Sequence, residues 1–509
     1  MASLHSWAGL LPGWLLFLIF LFGTTAFFQQ EISRWMRPEL RSATITPVAL
    51  DAASTFFKRH APGAASWTII LPPARGGEPL SLSWKASADG QVKAGKAILD
   101  PESGQEFTVR DTQGGFFLYR FHYDLHYMPI MWARMIVSIA ALAMLVAILS
   151  GIVTHKKIFA DFFLLRFGKG QRSWLDAHNV TAVLALPFHL MITYTGLVTL
   201  LFTLMPWAIS ANYPAPPAFF KAAFPQAPAV EASGMPARMM TLPDLITRGE
   251  TLTRGRLSAI TIFQPGDSAA VVRASPTLER LGGSIRPVYL SAVTGAVLPP
   301  LPAIGGAQAT QRAMIDVHAG RFAGSTLRWL YFLSGMGGTI MVASGLVLWT
   351  VKRRAKLVDP SRPHFGFRLV ERLNVGVIVG APAGIAVYFL TNRLLPLGMA
   401  NRADWEINSL FIAWGGVFAW ALARPAKRAW VEALAACAAF YALVPVINTL
   451  TTARGLIPSL IRADWVFVGF DGVMLATAAA GAFTAWKVAT HKPKATPRRK
   501  AHVAAEAAL

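Results

Sequence analysis

The stretch LDAHNVTAVLALPFHLMITYTGL, Leu175 to Leu197, decides the fold class. It has the length and apolar content of a segment that crosses a hydrocarbon core about 30 Å thick, for which about 20 residues suffice. It also holds two histidines, His178 and His189. Ionisable side chains inside such segments are rare and mark a function by default. On one continuous helix, eleven residues of separation place both rings on the same face, about 16 Å apart in depth.

Outward from this stretch the same composition recurs. The 509 residues are 54% hydrophobic and only 15% charged, against about 25% charged in a soluble domain. The chain therefore reads as an all-α polytopic membrane protein. Eight candidate spans lie at roughly 7–29, 129–154, 178–206, 326–350, 374–396, 406–423, 429–449 and 466–488. The net charge of +22 resolves into clusters beside span ends: Lys156 to Arg172, Lys352 to Lys356, Arg424 to Arg428, and the tail Lys492 to Lys500. That is the positive-inside pattern and not a nucleic-acid-binding face. It places both termini on the cytoplasmic side. The apolar run 10–28 lacks a basic leader and a clear cleavage site, and reads as a retained helix. The single cysteine, Cys437, excludes intrachain disulfides, Cys-ligated iron–sulfur clusters and CxxCH haem attachment.

The organisation that follows is a first span (1–29), an outside domain (30–125), spans 2 and 3 (126–206), a second outside domain (207–317), span 4 (318–355), a C-terminal four-helix membrane region (356–490) and a basic cytoplasmic tail (491–509). The outside segments hold strand-like runs: SWTIILP (66–72), PLSLSWK (79–85), KAILDPESGQEFTV (96–109), SAITIFQPGDSAAVVRA (258–274) and PVYLSAVTGAVLPP (287–300). The Pro- and Ala-rich run 213–230 reads as irregular linker.

The chain repeats itself. With His5 set over His178, Gly23 falls on Gly196. Arg134 and Gly151 match Arg328 and Gly345 at the same spacing, and DLH (124–126) matches DVH (316–318). The hairpin AILDPESGQEF (97–107) matches VYLSAVTGAVL (288–298). Spans 1–4 thus form a duplicated unit whose parallel repeats are related by a pseudo-two-fold axis along the membrane normal. Such an axis brings equivalent residues face to face, and one histidine from each of two facing helices is how a bundle holds a b-type haem. The repeat pairs His126 with His318 and His5 with His178. His155 is a cytoplasmic neighbour of His178, and His189 has no counterpart, since Leu16 occupies its place. Arg134 and Arg328 are candidate anchors for haem propionates, and Gly335, Gly337 and Gly338 would admit a flat macrocycle. Plainer readings stand beside these: interfacial histidines as polar end caps, a structural hydrogen bond at His189, snorkelling arginines, and glycines that serve helix packing. His122 and His126, spaced i, i+4, also permit a metal site.

The motifs at 150–197 and 317–349, with the outside hairpins, resemble the PepSY-associated transmembrane family of bacterial inner-membrane proteins, over roughly residues 1–355. The resemblance implies PepSY-like periplasmic domains, a Gram-negative inner-membrane location and a link to iron uptake. Some members resemble ferric-siderophore reductases with non-covalent b-haems in the four-helix core. One or two haems are then expected here, with His126, His318, His178, His155 and His189 as ligand candidates and His5 and His122 beside them. The chain lacks a fused flavin or nicotinamide domain, so electrons would come from membrane quinol or a separate reductase. The leading expectation is reduction of a periplasmic ferric siderophore or other ferric chelate. A transporter that binds anionic groups at Arg134 and Arg328, and a scaffold that binds a periplasmic protein, are the alternatives.

Overall fold

The computed structural model describes residues 5, 7, 9–40, 44–87, 89–154, 165–224, 230–277, 286–359 and 362–491. Within them, six helices are long and apolar enough to cross a bilayer: Ile130–Val153, Ser325–Arg354, Phe365–Leu394, Arg402–Ala423, Ala426–Thr451 and Trp465–Thr490. Two bent pairs, Gly13–Ala26 with Gln29–Met36 and Gln171–Leu184 with Leu186–Thr199, bring the number to eight if each pair is one span. With each pair taken as one, the spans are numbered 1 to 8 in chain order.

Span 3 is not the continuous helix that its apolar content predicts. Its two pieces meet at 69°. Pro187 has no N–H to donate, and its ring clashes with the carbonyl four residues back. The first piece accordingly stops at Leu184, and the second starts at Leu186 with the proline in its first turn. His178 and His189 stand on different pieces, so the one-face spacing does not apply to them. Span 5 begins earlier than expected, at Phe365. The ring of His364 caps it by accepting from the Phe367 N–H. Its first turns carry Arg368, Glu371 and Arg372, and Glu371 pairs with Arg354 of span 4.

The two outside insertions come together in one antiparallel sheet of order β3-β2-β1-β4-β5-β6. β1 (Ser66–Ile70), β2 (Leu80–Lys85) and β3 (Gly95–Leu99) come from the first insertion. β4 (Leu257–Phe263), β5 (Val271–Pro276) and β6 (Val288–Ser291) come from the second. They join where β1 pairs with β4, centred on Thr68 opposite Thr261, whose hydroxyls are 3.2 Å apart. An antiparallel pair has a local two-fold axis at its centre, so the duplication of the chain reappears as the symmetry of the sheet.

Each insertion also holds a helix that strand periodicity did not reveal, Pro47–His60 and Leu242–Thr253. Both are announced locally. Thr46 and Thr241 cap them by accepting from Ala49 N and Asp244 N, with proline in the first turn. Their apolar faces and that of the sheet share one core around Phe57, Trp67, Leu82, Leu245, Ile260 and Val272. A short helix, Pro216–Ala223, interrupts the expected linker.

The membrane part mirrors this duplication. Span 1 rests on the helix Gly114–Asp124, and the second piece of span 3 rests on the helix Gly306–Ala319. Spans 5–8 form a second bundle. Span 5 is its centre: 78% of its most apolar window is buried, against 22–39% in the other five uninterrupted spans. A buried polar network ties this bundle to the first. Arg402 and Glu406 are fully buried and paired. Asn392 donates to Glu406 at 2.7 Å. Arg393 stacks over the Trp35 ring, and the Trp35 indole donates to Asp471 at 3.0 Å.

Candidate functional site

Four histidines meet in two pairs, one at each end of the duplicated unit. At the end away from the sheet, His5 faces His178 with ring centroids 6.3 Å apart and planes at 73°. At the sheet end, His122 faces His318 at 6.4 Å and 21°. His5 stands eighteen positions before Gly23, the glycine of span 1 beside His122. That is about 27 Å of helix rise, close to the thickness of a bilayer core.

Three of these rings are held by one device. His5 Nδ1 lies 3.0 Å from the Ala147 carbonyl, His178 Nδ1 lies 2.8 Å from the Met341 carbonyl, and His318 Nδ1 lies 3.0 Å from the Ile192 carbonyl. Each carbonyl belongs to the residue four before a glycine: Gly151, Gly345 and Gly196. That glycine is what the ring packs on, since a Cβ there would stand 3.4, 3.2 and 2.9 Å from the ring. A carbonyl only accepts, so Nδ1 carries the proton and Nε2 keeps the lone pair. His122 departs from the rule. Its Nδ1 bonds to the Tyr119 carbonyl of its own helix, while Gly23 lies against its Cδ2 edge.

This arrangement passes a test for haem ligation. A metal ion held at about 2 Å by one nitrogen of each of two imidazoles sets the ring centres roughly 6 Å apart. Both pairs show that separation. Neutral rings aimed by a donated Nδ1–H are what a metal ligand requires. Two histidines do not make a zinc site, and among the described residues no group of three or more His, Cys, Asp or Glu could hold an ion. Two histidines suffice where a macrocycle supplies the other ligands. A cavity of about 610 Å³ adjoins the His5–His178 pair, within the roughly 300–1,000 Å³ of small-molecule sites. Leu10, Met144, Ile148 and Leu346 line it, His189 enters it deeper, and Lys352, Arg353 and Lys356 stand at one end.

The remaining candidates are placed as follows. His126 does not face His318. It stacks on Phe411 of span 6 and lines a separate cavity of about 510 Å³ with Arg120, Tyr127 and Asp404. Burial, and secondarily the Arg120 guanidinium, hold its pKa below the usual histidine value, and Asp404 opposes them. Since His122 and His126 point to different neighbours, they do not converge as a zinc pair. His189 is 1% exposed; its Nε2 lies 3.3 Å from the Ser334 carbonyl and its Nδ1 is buried without a partner among the described residues. His155 lies outside the described residues. Arg134 is engaged by Asp124 at 2.7 Å and Arg328 by Glu31 at 3.2 Å. Gly335 and Gly338 admit Thr24 and Phe20 of span 1, so these glycines serve helix packing.

Fold and site together define a polytopic membrane protein whose duplicated four-span unit encloses two histidine pairs. The profile of the PepSY-associated TM region matches residues 2–352, and the chain belongs to that family. All four paired histidines lie inside the match, and spans 5–8 lie beyond it. The chain is also similar to Uncharacterized protein PA4219 of Pseudomonas aeruginosa, with 26% identity over 352 residues, 64% of this chain and 85% of the relative.

Proposed function

We propose that this protein is an inner-membrane electron-transfer protein with two non-covalent b-haems, one between His5 and His178 and one between His122 and His318. Its activity in this reading is one-electron reduction of a ferric siderophore or other ferric chelate on the sheet side, the periplasm. The observation that carries the reading is the pair of imidazole pairs at ligation distance with Nδ1 committed to carbonyls. When bound, each haem supplies a one-electron couple.

The chain's own residues do the rest. The carbonyls of Ala147, Met341 and Ile192 fix ring tautomer and orientation, and the glycines beneath let the rings seat. Lys352 and Arg353 suit the carboxylates of a macrocycle at the edge of the inner cavity. Reduction frees iron because ferrous ion is a poorer partner than ferric for hard oxygen ligands. Electrons would enter from quinol or a separate reductase. The transporter reading loses its anion site, because Arg134 and Arg328 already hold carboxylates.

The test is a pyridine haemochrome spectrum of the purified full chain, with dithionite-reduced protein then mixed with a ferric hydroxamate. Two haems b per chain, reoxidised by the chelate, are expected. Protein expressed with ample haem and showing no Soret band refutes the proposal.

The glycine device yields a separate expectation. Gly196→Val places carbon where the His318 ring sits. Overpacking of this kind costs about 1–3 kcal/mol, enough to weaken occupancy of the sheet-side site by roughly 5–150-fold. Gly345→Val should do the same to the other site only. Haem titration of each variant decides, and equal effects on both sites would refute the assignment of glycines to rings.

A further inference from the structure

Spans 5–8 lie outside the family match and hold none of the paired histidines. They touch the first bundle in several places, among them Asn374 with Trp14, Glu371 with Arg354 and Asp471 with Trp35, and one further set of contacts brackets the helix Gly114–Asp124 that carries His122. At its start, the Thr112 hydroxyl bonds Glu406 of span 6 and accepts from the Gly114 N–H at 3.0 Å. Tyr388 of span 5 donates to the Gly114 carbonyl at 2.9 Å, and Arg402 donates to the Asp111 carbonyl at 2.9 Å. Just past its end, Tyr127 bonds Asn408 and His126 stacks on Phe411, both of span 6. The helix is thus gripped at both ends by the second bundle. Between the grips, Phe117 and Phe121 pack on Phe411.

The symmetry-related helix, Gly306–Ala319, carries His318 and is held differently. It packs on the second piece of span 3, and Tyr331 of span 4 donates to its Val317 carbonyl at 3.0 Å. The difference matters because His122 is also the ring that lacks the carbonyl-four-before-glycine tether. Phe22 of span 1 stands where span 3 has Thr195, whose hydroxyl lies 3.2 Å from His318 Nδ1. A ring without that tether depends on its helix for its place.

We infer that the C-terminal bundle is a positioning device for His122: Thr112, Tyr388, Arg402 and Glu406 set the helix Gly114–Asp124, and through it the sheet-side histidine pair. Occupation of that pair by haem rests on the function proposed above, whereas the grip on the helix does not. A second consequence is asymmetry. Damage to the grip reaches the His122–His318 pair and leaves His5–His178 as it was.

Full-length Thr112→Val, Thr112→Ser and Tyr388→Phe are compared with the parent by hydrogen–deuterium exchange in detergent, without added haem. Peptides over 114–124 should exchange about fivefold faster or more in Thr112→Val, as expected for one lost buried hydrogen bond. Peptides over 306–319 should not change, and Thr112→Ser should restore protection. Tyr388→Phe, a milder change, should give the same pattern at smaller size. Unchanged protection of 114–124 in both Thr112→Val and Tyr388→Phe, or equal acceleration of both helices, overturns the inference whether or not haem binds. With haem present, a redox titration should show one midpoint potential shifted in Thr112→Val and restored in Thr112→Ser, the other staying fixed. Two potentials that shift together also overturn it.

Discussion

Replacing His318 with alanine is expected to remove one of the two proposed haems, and replacing His178 with alanine the other. Each single variant should keep about half of the Soret absorbance per chain, because in the proposed reading the two histidines of a pair would hold one haem together and loss of either ring would release it. The double variant should bind none. His122→Ala should match His318→Ala, and His5→Ala should match His178→Ala. His126→Ala should keep both haems, since its ring faces Phe411 across the second cavity. His189→Leu should also keep both: among the described residues its ring packs on Phe20 and Phe188 and faces no imidazole, and Leu16 holds the equivalent place in the repeat. Pyridine haemochrome quantification of the six single variants checks the whole set. Loss of haem in His126→Ala with full retention in His122→Ala would reverse the sheet-side assignment.

That contrast shows where the sequence is readable. The spans, the duplication and the five strand-like runs, which hold the six strands of the sheet, come from local composition and period, which act within a few residues. The four glycines that the repeat aligns, Gly23, Gly151, Gly196 and Gly345, all lie against histidine rings. The identity of the sheet-side pair was not readable in the same way. Matching DLH to DVH sets His126 on His318 letter by letter. The geometry depends instead on where each preceding helix stops. One ends at Asp124, with Leu125 in the left-handed region, and the other at Ala319, before Gly320. His122 and His318 both sit in those last turns. From His122 to Arg134 is twelve residues and from His318 to Arg328 ten, while His126 to Arg134 is eight, so spacing to the span arginine favours neither histidine and only the helix ends decide.

Other parts were written locally but weighed lightly. Pro187 announces the break in span 3, and the threonine caps announce both helices beside the sheet. The joining of the two insertions through β1 and β4 has no local signal, because strands nearly two hundred residues apart pair through edges that sequence periodicity does not mark. The polar network of spans 5, 6 and 8 was equally silent. Arg393, Arg402 and Glu406 stand close to span ends, where charged side chains commonly reach water, and tertiary packing buries them instead.

That network sets the largest expected stability effect. Arg402→Met leaves Glu406 fully buried without its ion-pair partner. Removing one member of a buried pair costs about 3–5 kcal/mol, because the other charge stays in a low-dielectric site without compensation. The carbonyls of Asp111 and Asn392 lose a donor as well, which pushes the loss toward the upper end. The double variant Arg402→Met with Glu406→Leu should recover part of it, since a buried pair replaced by apolar side chains is often close to neutral. Recovery stays incomplete because the Thr112 hydroxyl and the Asn392 amide lose an acceptor. Thermal unfolding in detergent, followed by tryptophan fluorescence, measures both. Trp35 reports on the region directly, as its indole donates to Asp471 and Arg393 lies over its ring. A double variant less stable than Arg402→Met alone would mean that Glu406 is held chiefly by Asn392 and Thr112 and not by the arginine, and the pair would then be a consequence of the fold and not one of its supports.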